Sequence, residues 1–72
     1  MKNNNQSRKY ISSLSRDGRK ALAAIVGCHE QFLYQIGRGI RSPSRKMAYK
    51  LELAARGPIK AFDFDMEARK NT

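Results

Sequence analysis

Residues 19–38 read "RKALAAIVGCHEQFLYQIGR". Leu22, Ala23, Ile25 and Val26 share one face of a helix, and Gly27 ends it as a residue that tolerates positive φ. A second helix follows over about residues 29–37. At about 100° per residue, Leu33, Ile36, His29 and Phe32 fall on one arc. Gln31, Tyr34, Gln35 and Arg38 fall on the opposite arc, with Glu30 beside them. The apolar arc fastens the helix down. The other arc carries amides and a hydroxyl, which donate and accept hydrogen bonds rather than merely solubilise. Two short helices joined by a tight glycine turn make a helix-turn-helix. Ala23 is small where the helices cross, Gly27 and Cys28 form the turn, and Leu33 and Ile36 anchor the second helix.

The run Cys28-His29-Glu30 at the turn also suggests a metal or thiol site. A zinc site takes about four ligands, and the chain has one cysteine and one histidine. A thiol nucleophile needs an oriented base, and neighbouring side chains at a helix start diverge. No catalytic residue, metal or cofactor is therefore expected. Cys28 reads as a small apolar plug in the turn.

Working outward, residues 1–6 are polar and expected to be a disordered tail. Ser7 is a candidate N-cap for a short helix carrying Tyr10, Ile11 and Leu14. "SRDG" (15–18) breaks that helix, and Asp17 is placed to cap the next. "GRGIRSPS" (37–44) reads as a loop, with Ser42 or Ser44 capping a further helix near Pro43. That helix turns Met47, Ala48, Leu51 and Ala54 or Ala55 inward and stops at Gly57-Pro58. "IKAFDFDM" (59–66) alternates like a strand, but a lone strand is unstable. It is read as an irregular turn or short helix packing Ile59, Phe62 or Phe64 on the core. Residues 66–72 are expected to fray. The predicted fold is all-α, with four or five helices over residues 7–65.

The chain has 72 residues and a formal charge of +9, from fifteen Lys and Arg against six Asp and Glu. That size leaves no room for a deep substrate cleft, so neither an enzyme nor a small-molecule substrate is expected. The charge is uneven. Residues 1–20 and 41–60 each carry six basic groups and one acid, a net +5, around a neutral stretch at 21–40. Two basic blocks bracketing an uncharged reading face suit double-stranded DNA, where phosphate contacts position and base contacts specify. Lys20, Arg38, Arg41, Arg45 and Lys46 are the phosphate candidates. Glu30, Gln31, Tyr34 and Gln35 are the base-reading candidates, the glutamines because they pair bidentately with adenine. Arg8, Lys9 and Lys2 read as a basic arm over DNA or a mobile tail. No apolar run approaches the ~20 residues of a membrane span. With a lone cysteine, this suggests a soluble protein of a reducing cytosol.

Residues 19–38 resemble the helix-turn-helix of the phage Cro/CI repressor superfamily, most nearly the small YdaS-like and Cro-like regulators. "DGRKALAAIVG" is similar to their second helix, "FLYQIGRGIRSPS" to the recognition helix and its loop, and "KMAYKLELAARG" to their fourth helix. The resemblance spans about residues 10–62 and departs from the family pattern at Cys28. It implies a lambda-repressor-like bundle that occupies an operator, commonly as a homodimer. It also implies base readers at Glu30, Gln31, Tyr34 and Gln35, with His29 at the helix start. The alternatives are a basic RNA-binding protein, which calls for aromatic stacking platforms, a membrane-surface protein, and an antitoxin-type regulator with a protein partner.

Overall fold

Among the described residues five helices follow one another: α1 (Gln6–Ser13), α2 (Arg16–Val26), α3 (Glu30–Gly37), α4 (Arg45–Ala55) and α5 (Ala61–Lys70). The computed structural model describes residues 5–70, with residues 68–70 described by their backbone alone. No strand occurs among the described residues, so the fold is all-α.

The helix starts follow from capping chemistry, with two shifts from expectation. Asn5, not Ser7, caps α1, its Oδ1 accepting from the Arg8 N–H at 3.0 Å. Asn5 and Gln6 therefore belong to the folded part, while Lys2 lies outside the described residues. Ser15, not Asp17, caps α2 by accepting from the Gly18 N–H at 3.1 Å. Asp17 sits in the first turn, where its carboxylate suits the helix dipole. The break falls at Leu14 and Ser15, both extended, and Arg16–Gly18 are already helical. Ser44 caps α4, accepting from the Met47 N–H at 3.1 Å.

The larger correction is at the C-terminal end. Ile59 and Lys60 are irregular and the rest of the stretch is helical, as the short-helix alternative has it, but the helix is longer than expected: α5 runs for ten residues to Lys70, through Met66 where fraying was expected. Glu52 starts it from α4, its Oε1 accepting from the Ala61 N–H at 2.8 Å. Ile59 and Phe64 are buried as expected, but Phe62 is 64% exposed. The alternation of Phe and Asp over four residues imitates a strand, yet helical spacing puts the two rings on different faces.

The core is one cluster to which every helix contributes. Ile11, Leu33, Ile36, Leu51 and Ile59 are fully buried, joined by Leu22, Ala23, Val26, Ala48 and Phe64. Ile25, expected inward, is 68% exposed. It stands on the far side of Leu22 from Ala23 and Val26, at the edge of the apolar face. The end of α3 presses on α1. A Cβ at Gly37 would meet the Ser12 backbone nitrogen at 3.0 Å and its Cα at 3.1 Å, so only glycine fits without displacement.

Arg8 overturns its reading as part of an arm. It is 4% exposed, and all five of its N–H groups are used. Nε donates to both Glu67 oxygens at 3.1 and 2.9 Å, and Nη2 to Glu67 Oε1 at 2.7 Å and Ser42 Oγ at 3.0 Å. Nη1 donates to the carbonyls of Ile36 and Arg41. Its guanidinium also lies over the Phe64 ring, 5.3 Å from the centroid. Beside it, Ser7 Oγ donates to Asp63 Oδ2 at 2.6 Å and accepts from the Lys60 N–H at 2.7 Å. Asn5 Nδ2 donates to Glu67 Oε2 at 2.8 Å. One end of α1 thus joins α3, the loop after it, and α5.

Breaking a buried, hydrogen-bonded ion pair costs about 3–5 kcal/mol. Arg8→Met is predicted to lose about 3 kcal/mol, because Glu67 keeps partial access to water. The loss is read as a fall in the urea midpoint with an unchanged slope; an unchanged midpoint would refute the role given to Arg8.

Candidate nucleic-acid interface

The turn between α2 and α3 sets the candidate site. Gly27 takes a left-handed conformation, φ 80°, as its sequence position predicts. Its N–H and that of Cys28 both donate to the Ala23 carbonyl, at 2.8 and 3.0 Å. Ala23 is 4% exposed. Leu33 and Ile36, both fully buried, then hold α3 against the core.

That anchoring decides which side chains of α3 face outward. Gln31 and Tyr34 are exposed and Gln35 is half-buried. Phe32 is half-buried against the core. His29 does not share the apolar arc. It precedes the helix as its N-cap, exposed, with extended backbone and no capping bond from its side chain.

Glu30 is held elsewhere than on the open face. Its carboxylate accepts from Arg19 Nε at 2.7 Å, with side-chain exposures of 22% for Glu30 and 16% for Arg19. Arg19 also donates to the Leu14 carbonyl at 3.2 Å, tying the end of α1 to α2 and α3. Its guanidinium lies 5.3 Å from the centroid of the Tyr34 ring. Arg38 lies 5.7 Å from the same centroid and donates to Tyr34 Oη at 3.1 Å. The phenol O–H therefore remains available as a donor. Ile11, Ser12, Arg19, Tyr34 and Arg38 enclose a small cavity of about 110 Å³.

Tyr34 and Arg38 are thus brought together with an arginine that the sequence reading did not assign. The Tyr34–Arg38 contact is an i, i+4 pair and was readable on the helix. The Arg19–Glu30 pair crosses the turn, and no periodicity within one helix reveals it. Among the described residues no carboxylate pairs with Arg38, so two cations share one tyrosine and one acid.

The loop after α3 is rigidly held. The N–H groups of Ile40 and Arg41 donate to the Gln35 carbonyl at 2.9 and 3.3 Å, and the Arg41 carbonyl accepts from Arg8 at 2.9 Å. Pro43 is buried. The Arg41 and Lys46 side chains are exposed. Arg45 pairs with Asp65 at 3.4 Å, but its side chain is 90% exposed and such a pair contributes little. Lys20 is exposed on α2, further from the helix start than expected because α2 begins at Arg16 and not at Gly18.

Cys28 is half-buried at the turn, and burial pushes its thiol above the ordinary range. No group of three or more His, Cys, Asp or Glu among the described residues is placed to hold a metal ion. No helix among them is long and apolar enough to cross a membrane. No protein-family model, curated protein or solved structure matches the chain.

A raised thiol pKa means less thiolate at a given pH. Alkylation of Cys28 by iodoacetamide at pH 8 is predicted to be slower than that of an unstructured cysteine peptide, and to speed up on unfolding in urea. A folded protein that reacts as fast as the peptide would contradict the buried placement.

Proposed function

We propose that the chain is a sequence-specific double-stranded DNA-binding regulator. In this reading α2 and α3 form a helix-turn-helix within a lambda-repressor-like domain of the phage or prophage Cro type. The observation that carries it is the division of α3. Leu33 and Ile36 are sealed into the core, while Gln31 and Tyr34 face outward beside exposed cations. A helix held that way can enter a major groove, and glutamine amides can pair with adenine N6 and N7.

Roles follow from placement. Gln31, Gln35 and Tyr34 read base edges, with His29 at the entry of α3. Glu30, fixed by Arg19, orients that arginine and Tyr34 more than it meets a base. Arg38, Arg41, Arg45, Lys46 and Lys20 meet phosphates, and the free Tyr34 O–H adds a donor. The regulator acts by operator occupancy, as a homodimer excluding polymerase or a competing repressor.

On the cognate site, Gln31→Ala or Gln35→Ala is predicted to cost about 1–3 kcal/mol and relax sequence preference. Arg41→Ala is predicted to weaken binding to all sequences alike. It also lowers the slope of log K against log salt by about one. Fluorescence anisotropy at several salt concentrations separates these effects. Glutamine variants with unchanged preference between cognate and random duplex would refute the placement of the reading face.

A further inference from the structure

The α2–α4 side of the molecule carries a groove that DNA reading leaves unused. Ile25 and Leu53 stand two-thirds exposed, at 68% and 66%. With Val26, Ala54, Lys50 and Arg56 they line an open groove of about 570 Å³. Val26 is buried and Ala54 half-buried, so they form the floor, and the two large aliphatic side chains form the walls. Lys50 and Arg56, both exposed, supply the only charges of the lining.

Arg56 is held there against its backbone preference. It is the one non-glycine residue with positive φ among the described residues, 59°, at the C-cap of α4. Glycine adopts that conformation freely, whereas a Cβ disfavours it. The conformation ends α4, with the Arg56 N–H donating to the Glu52 carbonyl at 3.1 Å, and an arginine in place of glycine there sets a cation at the rim of the groove.

The charge selects the occupant. A second copy docked groove to groove would bring together four cations, Lys50 and Arg56 of each copy, with no acid in the lining to match them. Duplex DNA, whose outer surface is mainly phosphate and sugar, offers little apolar surface to two large aliphatic side chains across a groove. We propose that the groove takes an amphipathic helix from an acidic protein partner. Leucine or isoleucine side chains would sit between Ile25 and Leu53, and flanking Asp or Glu would face Lys50 and Arg56. The groove between α4 and α5 does not share this polarity, because Arg45 and Asp65 give it both signs.

The test titrates the full chain, without DNA, by two-dimensional amide NMR. The probe is a synthetic helix with leucine at i, i+3, i+4 and i+7 and glutamate beside them. A scrambled peptide of the same composition is the control. The expected result is saturable shifts at Ile25, Val26, Leu53 and Ala54 with the helix alone. Ile25→Ser and Leu53→Ser, both at exposed positions, should each weaken binding about tenfold or more. Arg56→Gly should raise the melting temperature yet weaken the peptide, a divergence that a purely structural arginine would not produce. The proposal is overturned if the scrambled peptide binds equally or if shifts map to α3. It is also overturned if Ile25→Ser and Leu53→Ser leave affinity unchanged. Dissociation of a dimer by these two variants in sedimentation would make a second copy the occupant. Loss of binding to phosphatidylserine vesicles in the same variants, with no peptide binding, would make it a membrane.

Discussion

The structure depends on one buried cation. Arg8 is enclosed on α1, and its five N–H groups reach Glu67, Ser42 and the carbonyls of Ile36 and Arg41. A planar guanidinium with donors on three sides can make such a set of bonds, and lysine cannot. Because the bonds run to α3, to its loop and to α5, the helices lock in one relative arrangement. In so small a chain the apolar core is thin. A saturated polar clasp then fixes the arrangement as well as adding stability, since any slippage leaves a buried charge unpaired.

The clasp also bears on the electrostatics of the candidate face. Of the six acids, Asp63 and Glu67 bind α1, Glu52 starts α5 and Asp65 meets Arg45. Glu30 is matched by Arg19. The carboxylates are largely committed to holding the fold together, so the exposed cations around α3 and its loop keep their charge for a partner. The formal +9 is therefore sorted: Arg8 is internal, Arg19 is paired with Glu30, and Arg38, Arg41 and Lys46 are exposed. The proposed DNA reading rests on that sorting as much as on α3 itself.

Much of this was legible in the chain. Helical periodicity located the faces of α3 and α4, and Gly27 marked the turn, because both depend on neighbours within one or two helical turns. What escaped depends on distant partners. Arg8 looks like tail charge until Glu67 is folded back beside it, 59 residues away. Ser7 looks like a cap until Asp63 and Lys60 claim its hydroxyl. Alternating Phe and Asp hid α5, whose start is set by Glu52 on the preceding helix. At the candidate site, the polar arc of α3 was readable, but the Arg19–Glu30 pair was not, since it joins two helices across a turn. Ile25 lies at the edge of an amphipathic face, where periodicity alone does not separate inward from outward.

The central claim is that this arrangement reads duplex DNA. Selection of binding sites from a random duplex pool tests it most directly. Enrichment of a short sequence is expected, repeated as half-sites about one helical turn apart if the protein binds as a dimer, with loss of that enrichment in the Gln31→Ala variant. A pool that yields no enriched sequence after repeated rounds, while the folded protein still binds it, would contradict the account.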